Sequence, residues 1–194
     1  TAKRLRALLG DRRFRYYPVT GSTNDDLRDW LKKEPELATG AVVIAEGQRR
    51  GRGRFQRPWL NAPGSALAIS MLVRTEDSRR IPMAAGLSAL AAVDGILGGD
   101  DRTTAGASSR EGAEVPVVSL KWPNDVLIGE KKVCGILVES AGNTRNAYVL
   151  GIGINVAGRL EDSEFGTKST SIDSHAAADI APLRLAADIV TGVE

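Results

Sequence analysis

Five consecutive apolar residues, Ala41-Val42-Val43-Ile44-Ala45, constrain this chain more than any other feature. A run this short, β-branched at its centre and never alternating with polar residues, predicts a strand covered on both faces. Such a strand needs a sheet with further layers laid against it, and the rest of the chain supplies the parts. Arg13 to Val19 is aromatic and β-prone, and Ala66 to Val73 reads as another strand. Between Arg13–Val19 and the apolar run, Gly21-Ser22-Thr23-Asn24 is a turn rich in helix-capping types. Asp25 to Lys33 then sets Leu27, Trp30 and Leu31 at helical spacing. Pro82 opens an Ala/Leu-rich helix that should stop at Gly98-Gly99. Val115 to Leu120, Val126 to Ile128, Val133 to Glu139 and Ala147 to Val156 read as strands, with Gly129-Glu130 as a hairpin turn. Gly99 to Glu114 reads as a surface excursion, Ala157 to Ser174 as irregular, and Pro182 to Val190 as a last helix. Helices and hairpins are interspersed without strict βαβ alternation. That predicts an α+β fold, a mixed, largely antiparallel β-sheet flanked by helices.

The 194 residues suit one domain, or one domain with a small appendage. A formal net charge of +2 gives no global argument for a nucleic-acid partner. Clustering matters more, since Arg49, Arg50, Arg52, Arg54 and Arg57 fall within nine positions. The single cysteine, Cys134, cannot form an internal disulfide and fits a reducing compartment. Apolar stretches such as Ser65 to Val73 are too short to span a bilayer, and no signal-peptide core follows Thr1-Ala2-Lys3-Arg4. The expectation is a cytoplasmic protein without membrane attachment. The missing initiator Met suggests a trimmed chain.

Three segments carry chemistry. The first, Gly51-Arg52-Gly53-Arg54, lies in the long polar loop Glu46 to Gly64. Glycines let backbone approach a ligand closely, and guanidiniums offer planar forks to carboxylates and phosphates. It is not a P-loop, because no Gly-Lys-Ser/Thr follows. A solvated basic loop, a small anionic ligand and a nucleic acid all remain open on this segment alone. The second is Lys121-Trp122-Pro123-Asn124-Asp125, bracketing a short hairpin with Lys132-Val133-Cys134-Gly135. Lys121, Asn124, Asp125 and Lys132 could there converge. The two lysines would meet developing phosphate charge, Asn124 a base or polar ring, and Asp125 a metal or an attacking amine. The alternative is a polar hairpin facing water with Trp122 in the core. The third, Gly151-Ile152-Gly153-Ile154-Asn155, fails as a dinucleotide fingerprint because its glycines lie inside a strand. They either permit close packing or press the strand against a ligand.

In this order and spacing, Ser22-Thr23-Asn24, Gln48, Gly51-Arg52-Gly53-Arg54 with Arg57 and Trp59, Lys121-Trp-Pro-Asn-Asp125, Lys132-Val-Cys-Gly135-Ile-Leu and Gly153-Ile-Asn155 resemble the biotin–protein ligase family from about Arg13 to Val190. The resemblance implies a fold shared with class II aminoacyl-tRNA synthetases and a two-step reaction. Biotin and Mg-ATP would give biotinyl-5'-AMP and pyrophosphate, and a lysine of a biotin carboxyl carrier protein would then take the biotin. It implies that Ser22, Thr23, Asn24 and Gln48 meet biotin. Gly51, Arg52, Gly53 and Arg54 would wrap biotin and the phosphate as a loop ordered by ligand, with Gly135 close to biotin. Lys132 would bridge the biotin carboxylate and the α-phosphate. Arg54, Arg57, Trp59, Lys121, Asn124 and Asn155 would face ATP, and Asp125 would position the acceptor amine. Arg54, Lys132 and Asp125 are thus the catalytic candidates. Mg²⁺ would arrive with ATP, and no protein metal ligand is assigned.

The chain departs from the family at Phe55-Gln56, where a small and a basic residue are usual, and at Arg49-Arg50, where smaller residues are. Cys134 replaces a frequent Ala, and His175, the only histidine, reads as loop surface. Residues 1–194 would form the catalytic domain alone. The twelve residues before Arg13 cannot build a winged helix-turn-helix, so no DNA partner is expected, and the family's small C-terminal β-barrel would be absent. Lipoate ligases and octanoyltransferases resemble a pattern Arg-Arg-x-x-Gly-Gly-Gly that this chain lacks. A nucleic-acid module leaves Lys-Trp-Pro-Asn-Asp without a purpose and has no aromatics interleaved with its arginines.

Overall fold

The apolar run is a strand buried at every residue, Val42–Ala45. A computed structural model describes residues 1–59, 64–98, 116–142, 144–158, 168–176 and 179–193. Its strands are β1 (Phe14–Tyr17), β2 (Val42–Ala45), β3 (Ala66–Arg74), β4 (Val118–Lys121), β5 (Asp125–Ile128), β6 (Lys131–Ser140) and β7 (Ala147–Asn155). Its helices are α1 (Ala2–Leu9), α2 (Thr23–Lys33), α3 (Ile81–Ile96) and α4 (Pro182–Gly192). The seven strands form one sheet in the order β1-β2-β3-β7-β6-β5-β4. Only β1 and β2 pair in parallel among these neighbours; the rest are antiparallel. The α+β expectation of a mixed, largely antiparallel sheet holds.

The period of two along each strand sorts side chains between two layers. Val42 and Ile44, Leu67, Ile69 and Met71, and Leu150, Ile152 and Ile154 face α1, α3 and α4 in the larger core. Val43, Leu72 and Val149 face α2, where Leu27, Trp30 and Leu31 close a second, smaller core. The helical spacing read over Asp25–Lys33 therefore marks the stripe that packs on the sheet. The helix begins two residues earlier, at Thr23, with Ser22 in extended conformation at its N-cap. Helix α3 ends as expected, with Gly98 at φ 90° just past its last turn.

Helix α1 is an addition to the sequence reading. Its signal is the pair Leu5 and Leu9, four apart and buried at 0% and 1% exposure. Truncating either to Ala removes a fully packed side chain, a change that costs about 2–5 kcal/mol. The first strand stops at Tyr17 because Pro18 has no N–H to continue a ladder. The reading of Val115–Leu120 shifts to Val118–Lys121, while the Gly129 turn has the φ of 60° that its glycine permits. The excursion from Gly99 to Glu114 lies outside the described residues, as does 159–167 of the irregular segment.

Candidate active site

The α2 face of the sheet is not filled along its whole length, and register explains why. Rows of paired residues run across the strands: Leu72, Val149 and Glu139; then Ser70, Gly151 and Leu137; then Ala68, Gly153, Gly135 and Asp125, ending at Lys121. The first row is bulky on β3 and β7 and packs on α2. The next two are small in the middle, so a cleft of about 490 Å³, open to solvent, lies above them.

The end of the cleft nearest α2 carries uncharged polar groups. Thr23 donates from both its N–H and its Oγ1 to Gln48 Oε1, at 2.8 and 3.1 Å. Behind it, Ser70 Oγ lies 2.7 Å from Thr23 Oγ1 and 2.5 Å from Asn24 Oδ1. Since the Thr23 hydroxyl proton is directed at Gln48, the single Ser70 proton is shared between two acceptors. Asn24 Nδ2 donates to Glu139 Oε2 at 2.6 Å, which fixes the amide's orientation. Ser22, Thr23 and Asn24 are buried at 3%, 2% and 5% exposure, polar groups held in place by one another. A Cβ on Gly151 would come 2.5 Å from Asn24 Oδ1, so that strand position admits only glycine. Ser70 is a site residue the sequence reading missed. Its signal was a lone hydroxyl inside the apolar run Ala66 to Val73. Ser70→Ala is expected to leave a buried acceptor short of a donor, a loss of about 1–3 kcal/mol. Thermal unfolding of the two proteins checks this; an unchanged midpoint would show the hydroxyl to be dispensable.

The opposite end is cationic. Lys132 Nζ sits 2.6 Å from Asp125 Oδ1 and 5.2 Å from the centre of the Trp59 ring. Arg54 Nη1 donates to Asn124 Oδ1 at 3.0 Å, joining the Arg/Gly loop to the β4–β5 hairpin. The indole of Trp59 lies over the two glycines of the third row. A Cβ on Gly153 would be 2.7 Å from its Cε2, and one on Gly135 would be 3.0 Å from its Cζ3. The indole N–H is buried and has no hydrogen-bond partner among the described residues. A buried donor left in this state costs about 1–3 kcal/mol, so it favours a ligand that brings an acceptor.

The loop that carries these groups is built by backbone pairing. It extends the β1–β2 alignment past the strands through Thr20 and Gln48, with Thr20 N–H donating to Gly47 and Arg49 N–H to Thr20. It then doubles back as Trp59 N–H donates to Gly51 and Gly53 N–H to Arg57. Gly51 is structural: a Cβ there would meet the Trp59 carbonyl at 2.6 Å. Phe55 and Gln56, the family departure, both occupy the left-handed region at φ 57°, where a small residue fits with less strain than Phe. Phe55 stands 81% exposed.

Most of the residues singled out in the sequence come together. Ser22, Thr23, Asn24 and Gln48 line the polar end, Arg52, Gly53 and Arg54 the loop side, and Trp59, Asn124, Lys132 and Gly135 the cationic end. Others do not line the cleft. Gly51 supports the loop, Arg57 is exposed, and Lys121 is exposed at the rim on the same face as Asp125. Asn155 is buried and its amide donates to the Thr170 carbonyl at 3.0 Å. Asp125 is engaged by Lys132 and also accepts from Asn124 Nδ2 at 3.1 Å. Trp122 is 80% exposed, which removes the alternative in which it fills the core. Cys134 faces the larger core, and burial pushes its thiol up to about 12, so it behaves as a small apolar residue. His175 is exposed, with Nε2 2.8 Å from Thr170 Oγ1.

The mixed sheet thus bears a glycine-floored cleft, polar at one end and cationic at the other, a layout suited to a small ligand with an anionic end. Residues 16–156 match the sequence model of the biotin/lipoate A/B protein ligase family, and the chain belongs to that family. It is 41% identical over 150 residues to the bifunctional ligase/repressor BirA of Escherichia coli, covering 75% of this chain and 41% of that protein. To the biotin–[acetyl-CoA-carboxylase] ligase of Mycobacterium tuberculosis it is 36% identical over 148 residues, covering 74% and 49%. The chain thus spans about half or less of the length of these relatives. Among solved structures, the Aquifex aeolicus biotin protein ligase in complex with biotin and ATP aligns with a TM-score of 0.73 at 27% identity, covering 93% of this chain and 68% of that one. The Leishmania major biotin protein ligase in complex with biotinyl-5-AMP aligns at 0.74 and 25% identity, covering 93% and 73%. The fold is that of biotin protein ligases, the class II aminoacyl-tRNA synthetase-like arrangement.

Proposed function

We propose that this chain is an ATP-dependent biotin–protein ligase, which forms biotinyl-5'-AMP and passes biotin to a lysine of a biotin carboxyl carrier protein. The observation that carries the reading is that Lys132, beside Gly135 and Asp125, lines the same cleft as the uncharged Ser22–Thr23–Gln48 end. A ligand with an apolar ring, a polar ureido edge and a terminal carboxylate spans that gap, its ring over Gly151 and its carboxylate near Lys132.

In the first half-reaction a biotin carboxylate oxygen attacks the α-phosphate of ATP, and the bond to pyrophosphate breaks. Two anions must be brought together, so fixed positive charge near the meeting point lowers the barrier. Lys132 and Arg54 supply it, with Lys121 at the rim. Mg²⁺ belongs to the nucleotide, where it offsets triphosphate charge. Trp59 covers the glycine row beside the reacting groups and excludes water from it. In the second half-reaction the carrier amine attacks the mixed anhydride, AMP leaves, and the amine must lose a proton. Asp125 is the carboxylate at this corner and would orient that amine, with Lys132 moving from it to the anions as they bind. Asn124, and Asn155 through the Thr170 segment, would bear on the adenine side. The names of the relatives and the absent Arg-Arg-x-x-Gly-Gly-Gly pattern favour biotin over lipoate, and the lone buried Cys134 fits a cytoplasmic setting. Among the described residues no helix is long and apolar enough to cross a membrane.

The test is exchange of labelled pyrophosphate into ATP. Exchange dependent on biotin and not replaced by lipoate or octanoate is the expected result. Exchange that ignores biotin removes the reading.

A further inference from the structure

Arg52 sits in the run expected to meet anions, yet its guanidinium is already engaged. Nη1 and Nη2 donate to the two Asp25 oxygens at 2.9 and 2.7 Å, a two-pronged contact with one carboxylate. Nε and Nη2 donate to Glu139 at 3.4 and 3.2 Å. The side chain is 19% exposed. Asp25 lies in the first turn of α2 and Glu139 in β6, so a long loop is pinned to two rigid elements at one point. The residues beside Arg52 set the site: Gly51 holds Trp59 through its carbonyl, and Gly53 leads into Arg54.

We propose that Asp25 is a positioning residue for the Arg/Gly loop: with Glu139 it clamps Arg52, so that Trp59 and Arg54 stand over the cleft before a ligand arrives. Arg52 works through this clamp and not by touching the bound anion. The hydrogen bond from Arg52 is the main reason the Asp25 carboxyl is held below the usual range. Glu139 is likewise held down, the contacts of Asn24, Arg28 and Arg52 outweighing its burial. Arg28 also pairs with both carboxylates, at 3.1 Å to Asp25 and 2.9 Å to Glu139. Neutralising Asp25 therefore loosens Arg52 without leaving Glu139 alone.

The inference rests on the proposed ligase reading for its kinetic consequence, but the clamp can be read without it. Trypsin cleavage of the ligand-free chain is followed at the Arg54–Phe55 bond in wild type, Asp25→Asn, Arg52→Met and the double variant. Asp29→Asn, which changes an exposed partner of Lys32 on the same helix, is the control. Asp25→Asn is expected to speed cleavage at least about fivefold by raising the open population of the loop. Arg52→Met should match it, and the double variant should add nothing, as two ends of one contact do. In biotin-dependent exchange, Asp25→Asn should raise the KM for biotin about tenfold while kcat stays within about twofold, the mark of lost pre-organisation. Unchanged cleavage in Asp25→Asn, an additive double variant, or a fall in kcat at constant KM each overturns the clamp. If Asp25→Asn does not fold, Arg52→Met decides by the same cleavage outcome. Absence of exchange in wild type would remove the ligase reading and leave the cleavage comparison to decide this one.

Discussion

Lys132→Ala is expected to cut biotin-dependent pyrophosphate exchange at least about a hundredfold while the chain stays folded. The amine is held 2.6 Å from Asp125 at the cationic end of the cleft, its side chain 27% exposed and therefore partly shielded from water. A charge-assisted hydrogen bond contributes about 1.5–3 kcal/mol. At about 1.36 kcal/mol per tenfold, the upper end alone reaches a hundredfold. Charge that develops only as the carboxylate meets the phosphate raises the loss further. The fold should survive because the structural work of residue 132 is done by its backbone. Its N–H donates to Lys168 and its carbonyl accepts from Thr170, and Ala keeps both. Asp125 retains the Asn124 donor. The measurement pairs exchange with circular dichroism, and Lys131→Ala on the same strand serves as comparison. A Lys132→Ala protein with wild-type exchange would detach this cation from the chemistry.

Gly153→Val should be nearly as severe, for a reason of shape. Valine is favoured in strands, so local propensity argues for the substitution and not against it. The tertiary neighbour argues the other way. The new Cβ would lie 2.7 Å from Trp59 Cε2 and 2.8 Å from Nε1, inside any allowed contact. The indole must leave the glycine row, and overpacking of this kind costs about 1–3 kcal/mol of stability. Biotin-dependent exchange should fall by about ten- to a hundredfold, because displaced groups no longer hold the reactants in line. Trp59 emission, read with Trp30 and Trp122 replaced by Phe, should shift toward that of a hydrated indole. Ile154→Val, next along β7 but facing the larger core, should cost only about 0.5–1.5 kcal/mol and leave exchange intact. If Gly153→Val keeps both its exchange and its emission, the third row is not the floor of the reacting site.

Local chemistry made much of this legible in advance. A short, unbroken, β-branched apolar run suits a doubly covered strand, Pro82 and Gly98 bound a helix because of what their backbones can and cannot do, and Gly129 turns a hairpin for the same reason. The motif segments also reach the cleft largely as their residue types suggested: hydroxyls and amides at one end, Lys132 and Arg54 at the other. Those features follow from properties a residue carries with it, namely φ preference, volume, charge and donor count.

Register and partner choice lie outside any single segment. Nothing between Gly151 and Asn155 says that Gly153 aligns with Gly135 and Ala68 and so makes a floor for Trp59. That alignment depends on the pairing of β3, β6 and β7, which a shift of one residue would turn to the other face. Asp25 and Arg52 are 27 positions apart, and Glu139 is 87 from Arg52, so their clamp exists only once α2 and β6 are both docked. Five arginines in nine positions are plain in the sequence, but only the tertiary structure shows that one of them, Arg52, is answered by two carboxylates. Lys121 and Asn155 looked like members of the site because their motifs belong there. The fold leaves one at the rim and ties the other to Thr170, since a side chain's direction is set by the strand that carries it and not by its neighbours in sequence. The sequence by itself determined the elements and the kinds of chemistry they carry; the sheet's register decided which of those groups share a cleft.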